Sequence, residues 1–539
     1  MFGDVNVKVE DGNLGRSSST GTGTHIKIGI SNVESKAPIL ISGTMNAKKI
    51  KEKVGETPLA DACIDAVEWG AASIYCIPVK AVTAGTIGAV EEEKAGYGEF
   101  TVTGSPNNAY DIVVEVMDDG ECNEGSFRYS IDGGNTFTEE MTIPVTGEVI
   151  LSATGLVAKF TDAEGGGSFK SGDRFTFSTT SPAMSNQAVI SAVEGLINSP
   201  LAFEFVHIVG TSSKALWASL CTIANDFLTK YKRPLYFVCE ARGKTSDEPL
   251  EEYVNAMLEE RKGINNMYMQ VVCSNSRYQR MDGRVQDINN AGIVTGLYGQ
   301  AKESQSIGEV KSFPISEAKM LKLLPEGIED YIGTLDDAKY VTIRKYTGKE
   351  DFYVTSANMM SPEGSDYAYA EDVRVSNRLV KAVRAAALDE LQVEIDPGDI
   401  ETSIANIQEQ LAIPVEDAVR DKIISSGTVA IDTENLNILV DESLDVRITY
   451  VPKITVNDKE LTLKKLDSMD ADGFKNLLKD NGQLDSNDPI NGWDGCAVEE
   501  VSINSSKHSV SFKGVDNPTK ISVTVSYTHL RAHETVLDL

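Results

Sequence analysis

The chain has 539 residues, enough for roughly two to four domains of about 150 residues each. Its 81 acidic and 50 basic residues give a net charge of −31, which opposes sequence-independent binding to nucleic-acid phosphates. No uncharged apolar run reaches the roughly 18 residues of a membrane helix, and the first residues lack the pattern of a secretory signal, so no membrane insertion is expected.

The seven cysteines are scattered singly, without a C-x-x-C pair, and two of the five histidines, His529 and His533, lie near the end of the chain. This usage argues against a disulfide framework, a thiolate zinc site and histidine-based catalysis. It favours folding in a reducing compartment. We predict no catalytic, cofactor-binding or metal-binding residues and no cofactor.

The first 30 residues are predicted to form an N-terminal arm. Val5, Val7 and Val9 alternate with polar residues, as in a strand, and a Gly/Ser/Thr-rich linker follows at residues 15–23. Residues 26–30 then alternate again. A strand needs a sheet to pair with, so the arm must pair with its own sheet or with a neighbour's sheet.

Helical and strand patterns alternate through two separated stretches, residues 31–85 and 182–440, which are predicted to form one discontinuous α/β core with a mainly parallel sheet. The predicted helices are residues 58–69, 187–198, 215–230 and 249–261, and the predicted strands are residues 73–79, 203–209, 234–239 and 267–273.

Residues 86–181 have a different sequence pattern from the flanking α/β stretches. Short strand-like runs at residues 99–103, 110–116, 126–131, 148–151 and 174–178 are separated by glycine-containing turns, without helical periodicity. We interpret this segment as a small β-sandwich inserted into a loop of the core. The fold class is therefore α/β, or α+β overall, with β-rich extensions at both ends.

The last part of the core and the C-terminal region are predicted as strands 340–345 and 351–355, helices 366–391, 400–411 and 415–424, and a β-rich region at residues 441–525. In that region Val446, Ile448 and Tyr450 alternate with polar residues. Residues 526–539 (SYTHLRAHETVLDL) resemble translated sequencing-adapter read-through and are predicted to be a non-native tail. The authentic C-terminus would then be missing.

Arg374, Arg378 and Lys381 recur at spacings of four and three along the long helix, with Arg384 at the edge of the same face. In an acidic chain, such a basic ridge has two interpretations. It either pairs with acids of the same molecule or forms an electrostatic docking face for an acidic partner.

One motif matches a phosphate loop only in part: Gly243, Lys244 and Thr245 follow a predicted strand, but Val238 stands where a P-loop needs glycine. A plain surface loop is the preferred interpretation. Likewise, Cys273 and His207 are interpreted as a core thiol and a hydrogen-bonded core histidine. Two other functions remain open, a soluble α/β enzyme that uses the Gly243 loop and a surface protein whose β-insertion binds glycans.

The order of an extended arm, an α/β core with a β-insertion and a C-terminal β-region resembles contractile bacteriophage tail sheath proteins, in particular the Mu-like group. The likeness spans residues 5–452, departs after Val451 and is carried by the stretches HIKIGISNVESKAPILISG, SGDRFTFSTTSPAMSNQAVISAVEGL and DFYVTSANMMSPEGSDYAYAEDVRVSNRLVKAVRAA.

The resemblance implies a structural subunit, not an enzyme. Copies would stack as six-fold rings in a helical polymer around a tail tube, linked by strand exchange, and would contract to drive the tube through a cell envelope for DNA ejection or injection. The implied partners are other copies of the chain, the tube protein, and baseplate and tail terminator proteins, without direct nucleic-acid contact. The chain would be assembled in the host bacterial cytoplasm and reside in the virion tail.

By the same analogy, Val5, Val7, Val9, Val446, Ile448 and Tyr450 are candidates for inter-subunit strands, and Arg374, Arg378, Lys381 and Arg384 are candidates for the tube interface. The β-insertion would project away from the tube.

Overall fold

The computed structural model describes residues 23–35, 37–390, 394, 399–431 and 446–453, and the backbone of three strands between 498 and 524. The chain divides into two compact units, Met1–Thr455 and Val456–Leu539. The predicted arm strand with Val5, Val7 and Val9 and the predicted non-native tail at 526–539 lie outside the described residues.

The helices of the first unit are α1 (Ala47–Val54), α2 (Pro58–Glu68), α3 (Asn186–Glu194), α4 (Lys214–Thr229), α5 (Leu250–Arg261), α6 (Ala291–Gln300), α7 (Ile332–Asp337), α8 (Ala370–Asp389) and α9 (Ile400–Arg420), with a 3-10 turn at Ile328–Tyr331. No described helix is both long and apolar enough to cross a membrane.

The strands are β1 (His25–Ile30), β2 (Ile39–Ser42), β3 (Ser73–Val79), β4 (Glu91–Glu93), β5 (Glu99–Gly104), β6 (Asp111–Asp118), β7 (Ser126–Ser130), β8 (Met141–Thr142), β9 (Glu148–Leu151), β10 (Leu156–Thr161), β11 (Arg174–Ser178), β12 (Phe205–Thr211), β13 (Tyr236–Glu240), β14 (Met269–Val272), β15 (Asn275–Gln279), β16 (Val285–Asn289), β17 (Met320–Leu324), β18 (Ile343–Lys345), β19 (Phe352–Val354), β20 (Ile424–Ile431) and β21 (Val446–Pro452).

The core sheet has the order β14-β13-β12-β1-β3-β2 and is parallel except for β2. All six residues of β1 are buried, because β1 pairs with β12 on one side and β3 on the other while helices cover both faces. A strand buried on both faces cannot be an extended arm. The structure therefore differs from the predicted boundary at residue 30, since residues 25–30 belong to the core.

Between β3 and α3, the chain forms two antiparallel sheets, β5-β10-β9 and β4-β11-β6-β7-β8. They share one apolar cluster, in which Phe100 stacks on Phe175 at 4.5 Å between ring centroids and Phe160 packs edge-on against Phe100 and Phe169 at 5.2 Å. The segment is thus two sheets around a core of their own, as in a β-sandwich.

The mixed α/β fold class is confirmed. One helix differs from the prediction: α9 continues through Pro414, where the sequence predicts two helices. Proline removes one backbone hydrogen bond, at a cost of about 3 kcal/mol in a helix interior. Ile407, Leu411 and Val415 bury one continuous face around it, and this packing favours a single helix.

The predicted C-terminal region at 441–525 spans the division between the two units. β21 lies in the first unit and pairs with β20. In the second unit, the structure describes an antiparallel sheet of β22 (Val498–Asn504), β23 (Ser509–Gly514) and β24 (Ile521–Thr524).

Candidate functional site

The first basic residue of α8, Arg374, lies inside the molecule with 1% of its surface exposed. Its guanidinium forms an ion pair with Glu204 and donates hydrogen bonds to the carbonyls of Tyr298, Ala301 and Lys302. Burial lowers the pKa of Arg374, but the charge and hydrogen bonds of Glu204, together with Tyr236 and Glu303, outweigh burial and raise that pKa above its usual range. Arg374 therefore fastens α8 to the α/β core.

The next two basic residues also bind within the molecule. Arg378 lies 3.1 Å from Glu303 and 2.7 Å from Asp421, which follows the last turn of α9. The ammonium of Lys381 donates to the carbonyl of Phe203 at 3.0 Å, and burial lowers its pKa.

Arg384, by contrast, is exposed. The prediction of one exposed docking face made of all four basic residues is therefore wrong. The helix turns the first three toward Glu204, Glu303 and Phe203, whereas Val375 and Leu379 of the same helix face a separate apolar cluster with α9. Intramolecular pairing, the other interpretation of the ridge, describes Arg374 and Arg378.

The predicted strand with Val446, Ile448 and Tyr450 is present as β21. It pairs antiparallel with β20 of the same chain, with Val446 opposite Ile431, Ile448 opposite Val429 and Tyr450 opposite Gly427. The two strands form a sheet of their own within the part of the chain that the structure describes. One edge of each strand is therefore paired. No strand among the described residues between 23 and 453 pairs with the other edge.

The hairpin of β20 and β21 rests on α8 and α9. Val429 and Ile431 join Leu379, Leu411 and Val415 in a separate apolar cluster. The phenol of Tyr450 hydrogen-bonds with Tyr367 and Ser376, and its pKa is raised by burial and by the Tyr367 contact. The rest of β21 is largely exposed, with Val451 51% exposed. The hairpin is therefore anchored on one side and open on the other.

The Gly243 loop lies at the rim of a cleft of about 610 Å³, outside the carboxyl ends of β12 and β13. Ligands of α/β proteins commonly bind at such an edge. The loop itself does not wrap a phosphate site: Lys244 donates to the carbonyl of Thr245 at 2.9 Å, and α5 begins only at Leu250. The guanidinium of Arg242 donates two hydrogen bonds, each 2.7 Å long, to the carboxylate of Glu248, and this ion pair stabilises the loop.

Three polar side chains lie side by side on neighbouring strands of the core sheet at this cleft, and two of them, Lys27 and His207, are fully buried. Lys27 of β1 donates to Nδ1 of His207 of β12 at 2.6 Å and to Oγ1 of Thr295 at 2.8 Å. Since an ammonium only donates, Nδ1 accepts, and Nε2 carries the proton that faces Glu240 of β13 at 3.0 Å. The sequence-based interpretation of His207 as a hydrogen-bonded core histidine is correct, but the sequence does not predict its charged neighbours.

Burial shifts all three groups toward their neutral forms. It raises the pKa of Glu240 to about 7, against the opposing effects of the Gly210 amide and Lys27. It lowers the pKa of Lys27 to about 8, and together with Lys27 it holds the pKa of His207 well below its usual value. Glu240 lines the cleft and would bring a titratable carboxyl to any ligand there.

A second buried network joins the β-insertion to the core. Asp61 of α2 accepts from Arg284 at 2.7 Å and from the Asn108 amide of the insertion at 2.6 Å, while Arg280 lies between Asp61 and Asp65. Burial alone would raise the pKa of Asp61, but the two guanidiniums outweigh it and lower that pKa. Asp65 pairs with Arg280, which it shares with Asp61, and burial raises the pKa of Asp65 to about 7.

Among the described residues, no group of three or more His, Cys, Asp or Glu side chains has an arrangement that could hold a metal ion. The buried networks were missed because their members are far apart in sequence. The one local signal was Asp61 and Asp65, which are four residues apart on one face of a helix otherwise rich in apolar residues.

Models of both DUF2586 domains match the chain, the N-terminal domain at residues 2–358 and the C-terminal domain at residues 366–467. The chain belongs to the DUF2586 family. The boundary between the two DUF2586 domains falls just before α8, where the structure passes from the α/β core to the helices that carry the hairpin.

Among solved structures, this DUF2586 chain is similar to the sheath tail protein of Desulfitobacterium hafniense, with 12% identity, 84% of this chain and 100% of that chain covered, and a TM-score of 0.44. For the sheath tail protein of Listeria innocua, the identity is 12%, the coverage 81% and 96%, and the TM-score 0.43. For a chain of the anti-feeding prophage baseplate, the identity is 6%, the coverage 86% and 99%, and the TM-score 0.48.

The names of these structures agree with the resemblance to tail sheath proteins drawn from the sequence. The assignment to the Mu-like group stays a prediction. No curated protein sequence matches the chain.

Proposed function

We propose that the chain is a structural subunit of a contractile tail sheath, which polymerises around a tail tube and contracts to drive the tube through a cell envelope. The observation that carries this proposal is the hairpin of β20 and β21, which is anchored on α8 and α9 and has an outer edge on each strand. Strand addition at such an edge binds through backbone groups, with little demand on side chains.

The N-terminal segment with Val5, Val7 and Val9 is the proposed donor strand, and the linker at 15–23 connects it to the core. The linker leads into β1, which is paired over its whole length with β3 and over residues 25–28 with β12. A pull on a donated arm would therefore act on the interior of the core sheet, and whole subunits would move together.

The proposed partners are other copies of the chain in six-fold rings and a helical polymer, a tube protein, and baseplate and terminator proteins. The proposed location is the virion tail, after assembly in the bacterial cytoplasm. Of the four basic candidates for the tube interface, only Arg384 keeps an exposed side chain. Polymer mechanics needs no catalytic site, so the proposal includes no enzymatic activity.

Negative-stain electron microscopy of the purified chain tests the proposal. We expect rings or helical polymers from the full chain and from a variant lacking residues 526–539, which serves as a control for truncation. Deletion of residues 1–15 should leave a folded protomer that does not polymerise, because the donor strand is gone. Monodisperse monomer from the full chain at high concentration, or normal polymers after the 1–15 deletion, would contradict the proposal.

The cleft at the carboxyl ends of β12 and β13 favours a second candidate function, a ligand-binding α/β enzyme that uses the Gly243 loop. It predicts a saturable rise in melting temperature with a nucleotide or a sugar phosphate, and loss of that rise in Lys244→Ala. The substitution removes an ammonium at the cleft rim, so a rise that persists in the variant would exclude Lys244 from the site.

A further inference from the structure

Two thiols from different secondary-structure elements meet in the core. Cys63 of α2 and Cys76 of β3 have their sulfur atoms 3.2 Å apart, and both side chains are 0% exposed. Neither belongs to a C-x-x-C motif, so the sequence gives no sign of the pair. The contact exists because α2 packs its buried face on β3, which places the two side chains opposite each other.

Two of the other described cysteines contact oxygen atoms instead. Cys273 lies 3.5 Å from the hydroxyl of Tyr253, and Cys122 lies 3.7 Å from the carbonyl of Phe160. A disulfide bond is about 2.05 Å long, so Cys63 and Cys76 need to approach by only about 1 Å. Side-chain rotation of this size does not require the helix to separate from the sheet.

We propose that Cys63 and Cys76 form an oxidative cross-linking site, which hydrogen peroxide converts into an intramolecular disulfide. In the first step, the sulfur of one cysteine attacks the peroxide, the O–O bond breaks, and a sulfenic acid and one water form. In the second step, the other thiol attacks the sulfenic sulfur and displaces the second water. The two thiols lose two protons and two electrons, and one peroxide is reduced to two waters.

The surroundings of the two thiols determine which oxidants can reach them and how fast the disulfide forms. Both thiols are fully buried, so a small neutral oxidant is favoured over a bulky one such as glutathione disulfide. The contact with Cys63, and then burial, raise the pKa of Cys76, while nearby Lys27 acts in the opposite direction. A raised thiol pKa makes the reactive thiolate scarce, so we expect slow cross-linking, not the rapid response of a redox sensor.

The cross-link would close the connection between α2 and β3, which is 13 residues long from one cysteine to the other. Closing a loop of this size stabilises a protein mainly by restricting its unfolded chain. We expect the melting temperature to rise by roughly 5 °C on oxidation. This inference is independent of the proposed assembly into a sheath.

Mass spectrometry of the full chain tests the site. The protein is purified under reducing conditions, treated with hydrogen peroxide, alkylated under denaturing conditions and cleaved with trypsin. Residues 54–80 contain both cysteines and no internal Lys or Arg, so the cross-link lowers the mass of this one peptide by about 2 Da and blocks its alkylation. Cleavage after Glu68 should then leave two fragments that separate only on reduction.

Cys221→Ala is the matched control, because Cys221 is a half-buried thiol of α4. We expect it to form the cross-link as the wild type does, whereas Cys63→Ala should leave Cys76 alkylatable or carrying oxygen. The proposal is overturned if peroxide leaves both thiols of the wild type free, or only adds about 16 Da or its multiples. Disulfide-linked dimers formed through these residues would also overturn it. The peroxide treatment of the wild type tests the proposal even if Cys63→Ala does not fold.

Discussion

Two strands with the same sequence pattern have different roles in the molecule. In β1, Ile26, Ile28 and Ile30 alternate with other residues, and in β21 Val446, Ile448 and Tyr450 do the same. All of β1 is buried, because it has strands on both sides and helices on both faces. β21 has one partner and a mostly exposed surface. Alternation predicts a strand, but the number of neighbours decides whether the strand is core or an interaction edge.

The test with the largest expected effect places an aspartate in each of the two strands, β1 and β21. Ile28→Asp buries a carboxylate among apolar side chains, so we expect a loss of unfolding free energy on the order of 4 kcal/mol. Val451→Asp lies at a half-exposed position of β21 and should change the free energy by less than about 0.5 kcal/mol. Urea denaturation followed by circular dichroism measures both variants. Equal losses would contradict the assignment of β1 to the interior and of β21 to the open edge.

A second test concerns the attachment of the hairpin unit to the core. Arg374→Ala leaves Glu204 buried without its cation, so we expect a loss of about 3 kcal/mol in unfolding free energy. Arg384→Ala removes an exposed guanidinium from the same helix and is the matched control, with an expected change below about 0.5 kcal/mol. Chemical denaturation distinguishes them. If both variants lose the same unfolding free energy, the ion pair of Arg374 with Glu204 does not specifically attach α8 to the core.

A third test uses pH on Glu240, the titratable carboxyl of the core sheet at the cleft. The folded pKa of Glu240 is raised to about 7 from the usual 4.5, so its contribution to stability is present below pH 4.5 and is lost as pH rises through 7. The loss amounts to about 3 kcal/mol across this window. The difference in unfolding free energy between wild type and Glu240→Gln should therefore change by that amount between pH 4.5 and pH 8. Parallel stability curves would mean that Glu240 does not titrate in this window.

Local patterns predicted the elements of the core well. Strand β3 has the predicted bounds, and α2 and α5 begin and end within one residue of their predicted bounds, because Pro58 and Pro249 lie at the predicted helix starts and an apolar face follows each. Other elements were not predicted: helices α1, α6 and α7 and strands β2, β4, β8, β10, β15, β16, β17 and β20. The registers of β15 and β16 set Arg277 beside Asp287 and Tyr278 beside Gln286, and such polar pairs leave no clear alternation of apolar residues in the sequence.

The site was less predictable, for a physical reason. The pairs of Arg374 with Glu204 and of Arg284 with Asp61 join residues 170 and 223 positions apart, and sequence spacing within one helix carries no information on such partners. The spacing of Arg374, Arg378 and Lys381 correctly indicates a shared face. It cannot tell whether that face meets solvent or another part of the chain.

The smallest expected effect tests how closely the hairpin rests on its helix. A Cβ atom at Gly427 of β20 would lie 2.5 Å from Cγ1 of Val415 in α9. The core strand β1 shares this feature, since a Cβ at Gly29 would lie 2.9 Å from Cβ of Val209. In Gly427→Ala, the Val415 side chain or β20 itself must shift, and we expect a loss of about 1 kcal/mol in unfolding free energy despite the better strand propensity of alanine.

Gly333→Ala in α7 is the control for this substitution, because no atom lies within 4 Å of its added Cβ, and alanine favours a helix. We expect it to be neutral or stabilising by up to about 1 kcal/mol in the same urea titration. A Gly427→Ala variant as stable as Gly333→Ala would mean that β20 tolerates a displacement from α9. The hairpin would then be held mainly by Tyr450 and its hydrogen bonds to Tyr367 and Ser376, and the open edge would be free to shift when a foreign strand binds.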